Sequence, residues 1–237
     1  MMASGPVAKR PPHMRLLTAV FPALQGRAMT SRSKIVVACG ALALLVFGGA
    51  GAFYSVRGGA GNSVCSAAAT KVETLRALAK GEVAAVEVAK QPALLPDLAF
   101  NGPDGKPTTL SAMRGKTVLV NLWATWCLPC LTEMPALDAL QGALGGPDFE
   151  VVAINIDTRH PDKPKKWLAD KSITRLAYYA DPQAKVFQDI RSVKKVEGMP
   201  ISLLVDPAGC ELALLQGPAE WAGADAKALI TAAIGRR

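Results

Sequence analysis

Two cysteines separated by two residues, Cys127 and Cys130, carry the clearest chemical signal in this sequence. The apolar run 118–123 predicts a buried strand directly before them, and the apolar spacing that follows predicts a helix over 127–144, ended by Gly145. Cys127 would then lie at the helix N-terminus, where free backbone N–H groups and the helix dipole stabilise a thiolate. This pattern predicts a redox dithiol in which Cys127 attacks and Cys130, one turn further along, resolves.

A structural disulfide and half of a zinc site are the alternatives for the same two cysteines. A structural zinc site normally takes four Cys or His ligands, whereas the only histidines of the chain are His13 and His160. No metal site and no cofactor are therefore predicted, and redox exchange is the favoured interpretation.

The positive charge of the chain is concentrated at its N-terminus. The 237 residues have a formal net charge of +8, but residues 1–34 contain six Lys or Arg and no acid, which leaves +2 for the remainder. A nucleic-acid partner is therefore not predicted.

Residues 35–54 contain no charge and are long enough to cross a hydrocarbon core of ~30 Å. The cationic flank predicts a transmembrane anchor with residues 1–34 in the cytoplasm.

A cleavable signal peptide is the alternative for residues 35–54, since Ala50-Gly51-Ala52 resembles a cleavage site. We favour an uncleaved anchor, because the apolar region is longer than the roughly 7–15 residues of a signal peptide. Met29 is a second candidate start of the natural protein. The small residues in 55–64 predict a flexible tether.

The order of the remaining elements predicts an α/β domain over 92–237, preceded by a helical extension over 65–91. The strand–helix–strand–helix order of its first half implies parallel strands, and Asp104-Gly105 predicts a hairpin turn before it. The predicted elements are a helix at 67–80, strands at 118–123 and 150–156, helices at 127–144 and 163–171, an antiparallel hairpin of 201–205 with 211–215, and a helix at 222–234.

These features resemble the thioredoxin fold, and their motifs resemble the membrane-anchored TlpA-type thiol:disulfide interchange proteins of the thioredoxin-like family. The motifs are Trp-Ala-Thr-Trp-Cys-Leu-Pro-Cys at 123–130, Glu-Met-Pro at 133–135 and Val-Val-Ala-Ile-Asn-Ile-Asp at 151–157. The resemblance covers Cys65 to the C-terminus. It implies a central mixed sheet flanked by helices, with an N-terminal helix and hairpin extension and one N-terminal transmembrane helix.

The resemblance also implies roles for residues outside the dithiol. Pro200, after Met199, matches a proline held in a cis peptide bond beside the dithiol, where a client segment approaches; a plain turn proline is the alternative. Glu133 matches an acidic residue suggested to influence thiol pKa and proton movement, with a solvated helix glutamate as the alternative. Thioredoxins have a buried aspartate where this chain has Asn121, and an amide cannot transfer a proton. Trp126 is expected to contact clients.

Three cysteines lie outside the motif: Cys39, Cys65 and Cys210. Cys39 falls in the predicted anchor. Cys65 and Cys210 would both face an oxidising compartment, where a structural disulfide persists. Closure of a loop of about 145 residues would contribute at most about 5 kcal/mol.

The direction of electron flow is predicted from what lies between the two active cysteines. Leu128-Pro129 offers no cationic histidine to stabilise the Cys127 thiolate, which favours a reducing couple. The resemblance implies reduction of client disulfides in respiratory cytochrome biogenesis, on oxidase copper-assembly factors or apocytochromes. It further implies a membrane electron-donor protein and a periplasmic domain at the bacterial inner membrane. A Cu(I) metallochaperone that uses the same dithiol and a thiol peroxidase are the alternatives.

Overall fold

The computed structural model describes residues 64–236. The predicted basic segment 1–34, the anchor 35–54 with Cys39, and the tether 55–64 except Val64 lie outside the described residues and stay predictions. Within 64–236, none of the helices combines the length and the apolar character needed to span a membrane.

Residues 64–236 contain one mixed sheet of eight strands. Its strands are β1 (Glu87–Val88), β2 (Ala99–Asn101), β3 (Pro107–Thr109), β4 (Thr117–Trp123), β5 (Phe149–Asn155), β6 (Tyr179–Ala180), β7 (Ile201–Val205) and β8 (Glu211–Gln216). The spatial order is β1-β8-β7-β4-β5-β6-β2-β3. β4, β5 and β6 run parallel, whereas β7 and β8 are antiparallel to their neighbours. The parallel strands β4, β5 and β6 thus form the centre of the sheet, with antiparallel strands on both sides.

Five α-helices flank this sheet in the described part of the chain. They are α1 (Ser66–Leu78), α2 (Leu128–Leu144), α3 (Asp162–Asp170), α4 (Lys185–Val193) and α5 (Ala224–Ile234). Two short 3₁₀ turns lie at Gly81–Val83 and Leu110–Met113. Every residue of the central strand β4 is buried, as expected for a strand covered on both faces.

The segment 65–91 extends the same core. Ala68, Val72 and Leu75 are the buried face of α1, which packs against α5 and β8. Lys71 Nζ donates a hydrogen bond to the carbonyl of Ala233 at 2.8 Å, and β1 pairs with the outer edge of β8. The predicted extension is therefore an integral part of the sheet and its helical layer.

Most predicted elements are confirmed, with boundaries shifted by one or two residues. The predicted hairpin around Asp104-Gly105 is β2–β3, which joins the sheet beside β6. Three elements were not predicted: β1, β6 and α4. Two residues are too few to show an alternating pattern in β1 or β6, and α4 has only nine residues. The last helix starts at Ala224, because Gly223 is extended and precedes it as the N-cap.

Candidate active site

The dithiol lies where the central strand passes into α2. β4 ends at Trp123, and Cys127 is the N-cap of α2 with an extended backbone. Cys127 and Cys130 are joined in a disulfide, and the backbone N–H of Cys130 donates a hydrogen bond to Cys127 Sγ at 3.3 Å. Free N–H groups at the start of a helix stabilise a thiolate in the reduced form. Cys127 is 6% exposed and Cys130 is fully buried, so Cys127 is the sulfur that a partner can reach.

Large apolar side chains flank Cys127 in the sequence. Its two large neighbours in the sequence, Trp126 and Leu128, are 66% and 75% exposed. The expected contact of Trp126 with clients stays a prediction, and its exposure is compatible with it. Trp123, by contrast, is buried and packs against Trp167 at a ring-centroid distance of 5.8 Å, so its role is in the core.

The bond between Met199 and Pro200 is cis and lies at the same end of the sheet as the dithiol. Ile201, the next residue, pairs with Leu122 near the end of β4. Pro200 is buried and Met199 is half-buried. The structure thus brings Met199-Pro200 to the sheet end from which the dithiol loop departs.

Glu133 lies one turn beyond Cys130 on α2, where residues three apart are neighbours. Its side chain is buried, with a residue exposure of 2%. Burial raises its pKa from 4.5 to about 7, although hydrogen bonds from Asn121, Ala219 and Trp221 favour the ionised form. The alternative of a solvated helix glutamate is therefore wrong. A carboxyl group with this pKa can both accept and release a proton near neutral pH.

Asn121 holds the Glu133 carboxylate from the central strand. Asn121 Nδ2 donates to Glu133 Oε1 at 2.8 Å and to Ser202 Oγ at 3.0 Å. The other carboxylate oxygen accepts from the Ala219 N–H and from Trp221 Nε1, both at 3.1 Å. Asn121 Oδ1 is buried and has no hydrogen-bond partner within residues 64–236. The Asn121 amide thus orients the Glu133 carboxylate.

A second buried carboxylate, Asp157, lies on the other side of the dithiol loop. It follows β5, the strand parallel to β4. Its two oxygens accept from the Thr125 N–H at 2.8 Å, from Thr125 Oγ1 at 2.9 Å and from Asn155 Nδ2 at 2.7 Å. These bonds fix the turn that carries Trp126 and leads into Cys127.

Comparison with known proteins places this geometry in a family. The AhpC/TSA family pattern matches residues 93–210. A solved chain from Chlorobium tepidum, named thiol:disulfide interchange protein DsbE, is 31% identical with a TM-score of 0.51 and covers 60% of this chain and 96% of its own. The chain belongs to the AhpC/TSA family of thioredoxin-like thiol-disulfide oxidoreductases.

Further relatives agree with this family and with the fold. Thioredoxin-like protein YneN of Bacillus subtilis is 31% identical over 48% of this chain and 64% of its own. Thiol:disulfide interchange protein HelX of Rhodobacter capsulatus is 34% identical over 49% of this chain and 61% of its own. Each match thus spans less than two thirds of the curated relative. A thioredoxin-family structure from Chlorobium tepidum TLS, at 23% identity and a TM-score of 0.52, covers 62% of this chain and 99% of its own and supports the thioredoxin-like fold.

The two outlying cysteines form the second disulfide of this family member. Cys65 and Cys210 are bonded and buried. Cys210 follows the turn after β7, and Val205 at the end of β7 pairs with Val118 near the start of β4. This disulfide therefore lies at the opposite end of the sheet from Cys127.

Sequence reasoning missed Trp221 and Asp157 as parts of the site. Trp221 lies in an irregular segment between β8 and α5, and no sequence pattern links it to Glu133. Asp157 did carry a signal, because it follows a predicted parallel strand directly after the strand that leads to the dithiol. Side chains at the carboxyl ends of adjacent parallel strands meet at one edge of a sheet.

Proposed function

We propose that this chain is a membrane-anchored periplasmic reductant of protein disulfides, of the TlpA type, that serves respiratory cytochrome biogenesis. The observation that carries the exchange chemistry is the dithiol at the start of α2, with Cys127 as the accessible sulfur and Cys130 buried behind it. Membership of the thiol-disulfide oxidoreductase family supports the same reaction.

The reaction is an exchange of one disulfide for another. The Cys127 thiolate attacks one sulfur of a client disulfide, the client S–S bond breaks, and the departing client thiolate takes up a proton. Cys130 then loses its proton and attacks Cys127 Sγ, which releases the second client thiol and leaves Cys127–Cys130 oxidised. Two electrons and two protons pass to the client in one cycle.

Glu133 is the group positioned to handle the Cys130 proton. It is one turn from Cys130 on the same helix, and its burial brings its pKa to about 7. The ionised carboxylate would accept the proton as Cys130 becomes a nucleophile. Asn121 and Trp221 hold the carboxylate by hydrogen bonds and cannot accept this proton themselves.

The residues between the two cysteines and the acid one turn beyond Cys130 support the role of reductant. Leu128 and Pro129 stand between the cysteines, so neither intervening residue supplies a cation to stabilise the Cys127 thiolate. A buried carboxylate behind Cys130 disfavours further negative charge nearby. Both factors weaken the reduced form relative to the disulfide and make the couple reducing.

The clients and the location are proposed from the resemblance to TlpA-type proteins. The clients are oxidase copper-assembly factors or apocytochromes, and a membrane protein supplies the electrons. The uncharged segment 35–54 with its cationic flank supports a single-pass anchor in the bacterial inner membrane. Protease added to spheroplasts should digest residues 65–237, and full protection of this domain would contradict the topology.

Trapping of clients tests the function directly. The full-length Cys130→Ser variant keeps the attacking thiol but cannot resolve, so it should accumulate dithiothreitol-sensitive adducts with proteins of a periplasmic extract. The double variant Cys127→Ser/Cys130→Ser is the control and should form none. Adducts that persist in this control would assign the reactive sulfur to another cysteine. Copper binding by the reduced protein without adducts would instead favour the metallochaperone alternative.

The equilibrium of the dithiol with glutathione tests the direction. A reductant should have a potential nearer the roughly −270 mV of thioredoxin than the roughly −120 mV of a strong periplasmic oxidant. A value at the oxidising end would make the chain a disulfide donor.

A further inference from the structure

A basic recess opens beside Trp126, on one side of Cys127. We define it by its lining residues: Thr125, Trp126, Asp157, Arg159, His160 and Lys163. Thr125 and Trp126 belong to the turn that leads into Cys127, so the recess opens beside the dithiol loop.

Two cations of the recess have no ionic partner. Arg159 and Lys163 are exposed, and neither makes an ion pair or side-chain hydrogen bond with another residue of the described range 64–236. By contrast, Lys166 on the same helix is paired with Asp170. The cations of the recess are therefore available to an incoming anion.

One acid, Asp157, lines the recess beside Arg159 and Lys163, so its single negative charge does not cancel both cations. Asp157 is buried, and its oxygens accept the hydrogen bonds from Thr125 and Asn155. Asp162 lines a neighbouring recess instead, together with Lys165 and Tyr178. The accessible charge beside Trp126 is thus positive.

These cations do not stabilise the fold locally. Lys163 lies in the first turn of α3, where the helix dipole disfavours a positive charge. His160 has a φ of 55° in the left-handed region, which costs free energy for a residue other than glycine. Local stability therefore does not account for the placement of these residues.

We propose that the basic recess selects client segments that carry an acidic side chain two residues from the reacting cysteine. This inference rests on the proposed exchange reaction. In an extended segment, side chains two residues apart point to the same face, so such a carboxylate would face Arg159 and Lys163 while the client sulfur faces Cys127. Leu128, on the other side of Cys127, offers only an apolar contact.

Disulfide-linked homodimers of a single-cysteine peptide test the preference. Three peptides carry Glu, Gln or Lys at the positions two before and two after the cysteine, and hydroxyethyl disulfide is the uncharged reference. With the full-length reduced chain, the single-turnover rate should fall from Glu to Gln to Lys. The Glu peptide should react about threefold to tenfold faster than the Lys peptide, as expected for two exposed charge contacts. The preference should shrink as ionic strength rises.

Charge reversal locates the preference. The variant Arg159→Glu/Lys163→Glu should invert the Glu-to-Lys rate ratio. The matched control Lys80→Glu/Lys90→Glu makes the same change in net charge on exposed lysines near α1 and β1, and it should keep the wild-type ratio. A ratio near one in the wild type, or an unchanged ratio after the reversal at the recess, would overturn the inference while the exchange function stands. Failure of the wild type to reduce even hydroxyethyl disulfide would instead reject the proposed function.

Discussion

The two disulfides of this protein lie at opposite ends of one sheet and differ in almost everything except the bond. Cys127–Cys130 spans three residues at the end of β4, whereas Cys65–Cys210 spans 145 residues and ties the start of α1 to the β7–β8 turn. Two exposed apolar side chains flank Cys127. A titratable acid also lies one turn from Cys130.

The surroundings of Cys65–Cys210 offer little access to either sulfur. Both cysteines are buried, and Leu94 forms an isolated antiparallel bridge with Cys210. The Cys210 N–H donates to Asp206 Oδ1 at 2.8 Å, which fixes the turn. The comparison indicates that access to Cys127 and its exposed apolar neighbours, more than the bond itself, distinguish the reactive disulfide from the structural one.

The largest expected difference between the two disulfides is in exchange rate. Cys127→Ser should lower the rate with a protein disulfide by about a thousandfold or more, because a hydroxyl group cannot replace the attacking thiolate. Cys65→Ala/Cys210→Ala should keep the wild-type rate. Stopped-flow measurement on folded, reduced full-length variants checks both. A large rate loss in the second variant would make Cys65–Cys210 part of the exchange machinery.

For stability, removal of Cys65–Cys210 should have the larger effect of the two. The Cys65–Cys210 disulfide closes a loop of 145 residues, so Cys65→Ala/Cys210→Ala should lower the unfolding free energy by up to about 5 kcal/mol. The Cys127–Cys130 disulfide closes a very short loop, so Cys127→Ala/Cys130→Ala should lower it by roughly 2 kcal/mol. Urea denaturation of the oxidised proteins measures both. Equal losses would show that Cys65–Cys210 does not act through the span that it closes.

Much of this comparison could be predicted from the sequence. The position of Cys127 at a helix start followed from the apolar run before it and the helical spacing after it, since both signals are local. The pairing of Cys65 with Cys210 followed from exclusion of the other cysteines and the compartment. The end of the sheet at which each disulfide lies depends on the pairing of β4 with β7, which no local pattern specifies.

Glu133 provides a pH-dependent difference in stability. Its pKa is about 7 in the folded chain, raised by burial from an ordinary 4.5, so between these values the folded state binds more protons than the unfolded state. Stability therefore falls as pH rises from about 4.5 to about 7, by about 3 kcal/mol in total. The oxidised Glu133→Gln variant should lack this loss when urea denaturation is compared at pH 4 and pH 8.

A matched control separates this effect from general titration. Glu87→Gln removes an exposed carboxylate on β1 and should keep the wild-type pH dependence. Glu133→Gln should also change the pH profile of disulfide exchange, because resolution by Cys130 would lose its proton acceptor. An unaltered exchange profile in Glu133→Gln would leave Glu133 with a purely structural role.

The partners of Glu133 and Asp157 differ in how far the sequence could predict them. Trp221 and Ala219 reach Glu133 from the segment after β8, 88 and 86 residues along the chain. Their contact follows from how that segment packs over α2. The contact of Asp157 with Thr125 could have been predicted from the parallel pairing of β4 with β5. Periodicity identifies strands, but the side chains that meet beyond the strand ends depend on loop conformation.

The smallest expected effect concerns Asp157, which binds the dithiol loop through Thr125. Asp157→Ala leaves the Thr125 N–H and the Asn155 amide without their acceptor, which should cost about 1–3 kcal/mol of stability. Because the turn that carries Trp126 loses its support, the rate with uncharged hydroxyethyl disulfide should fall as well. Thr125→Val loses only the hydroxyl bond and keeps the backbone bond, so it should show the smaller loss of rate. Asp157→Asn retains one acceptor oxygen and should recover part of the rate. If Asp157→Ala lost stability while its exchange rate stayed at the wild-type value, Asp157 would stabilise the loop without positioning Cys127, and Glu133 alone would link the buried acids to the chemistry.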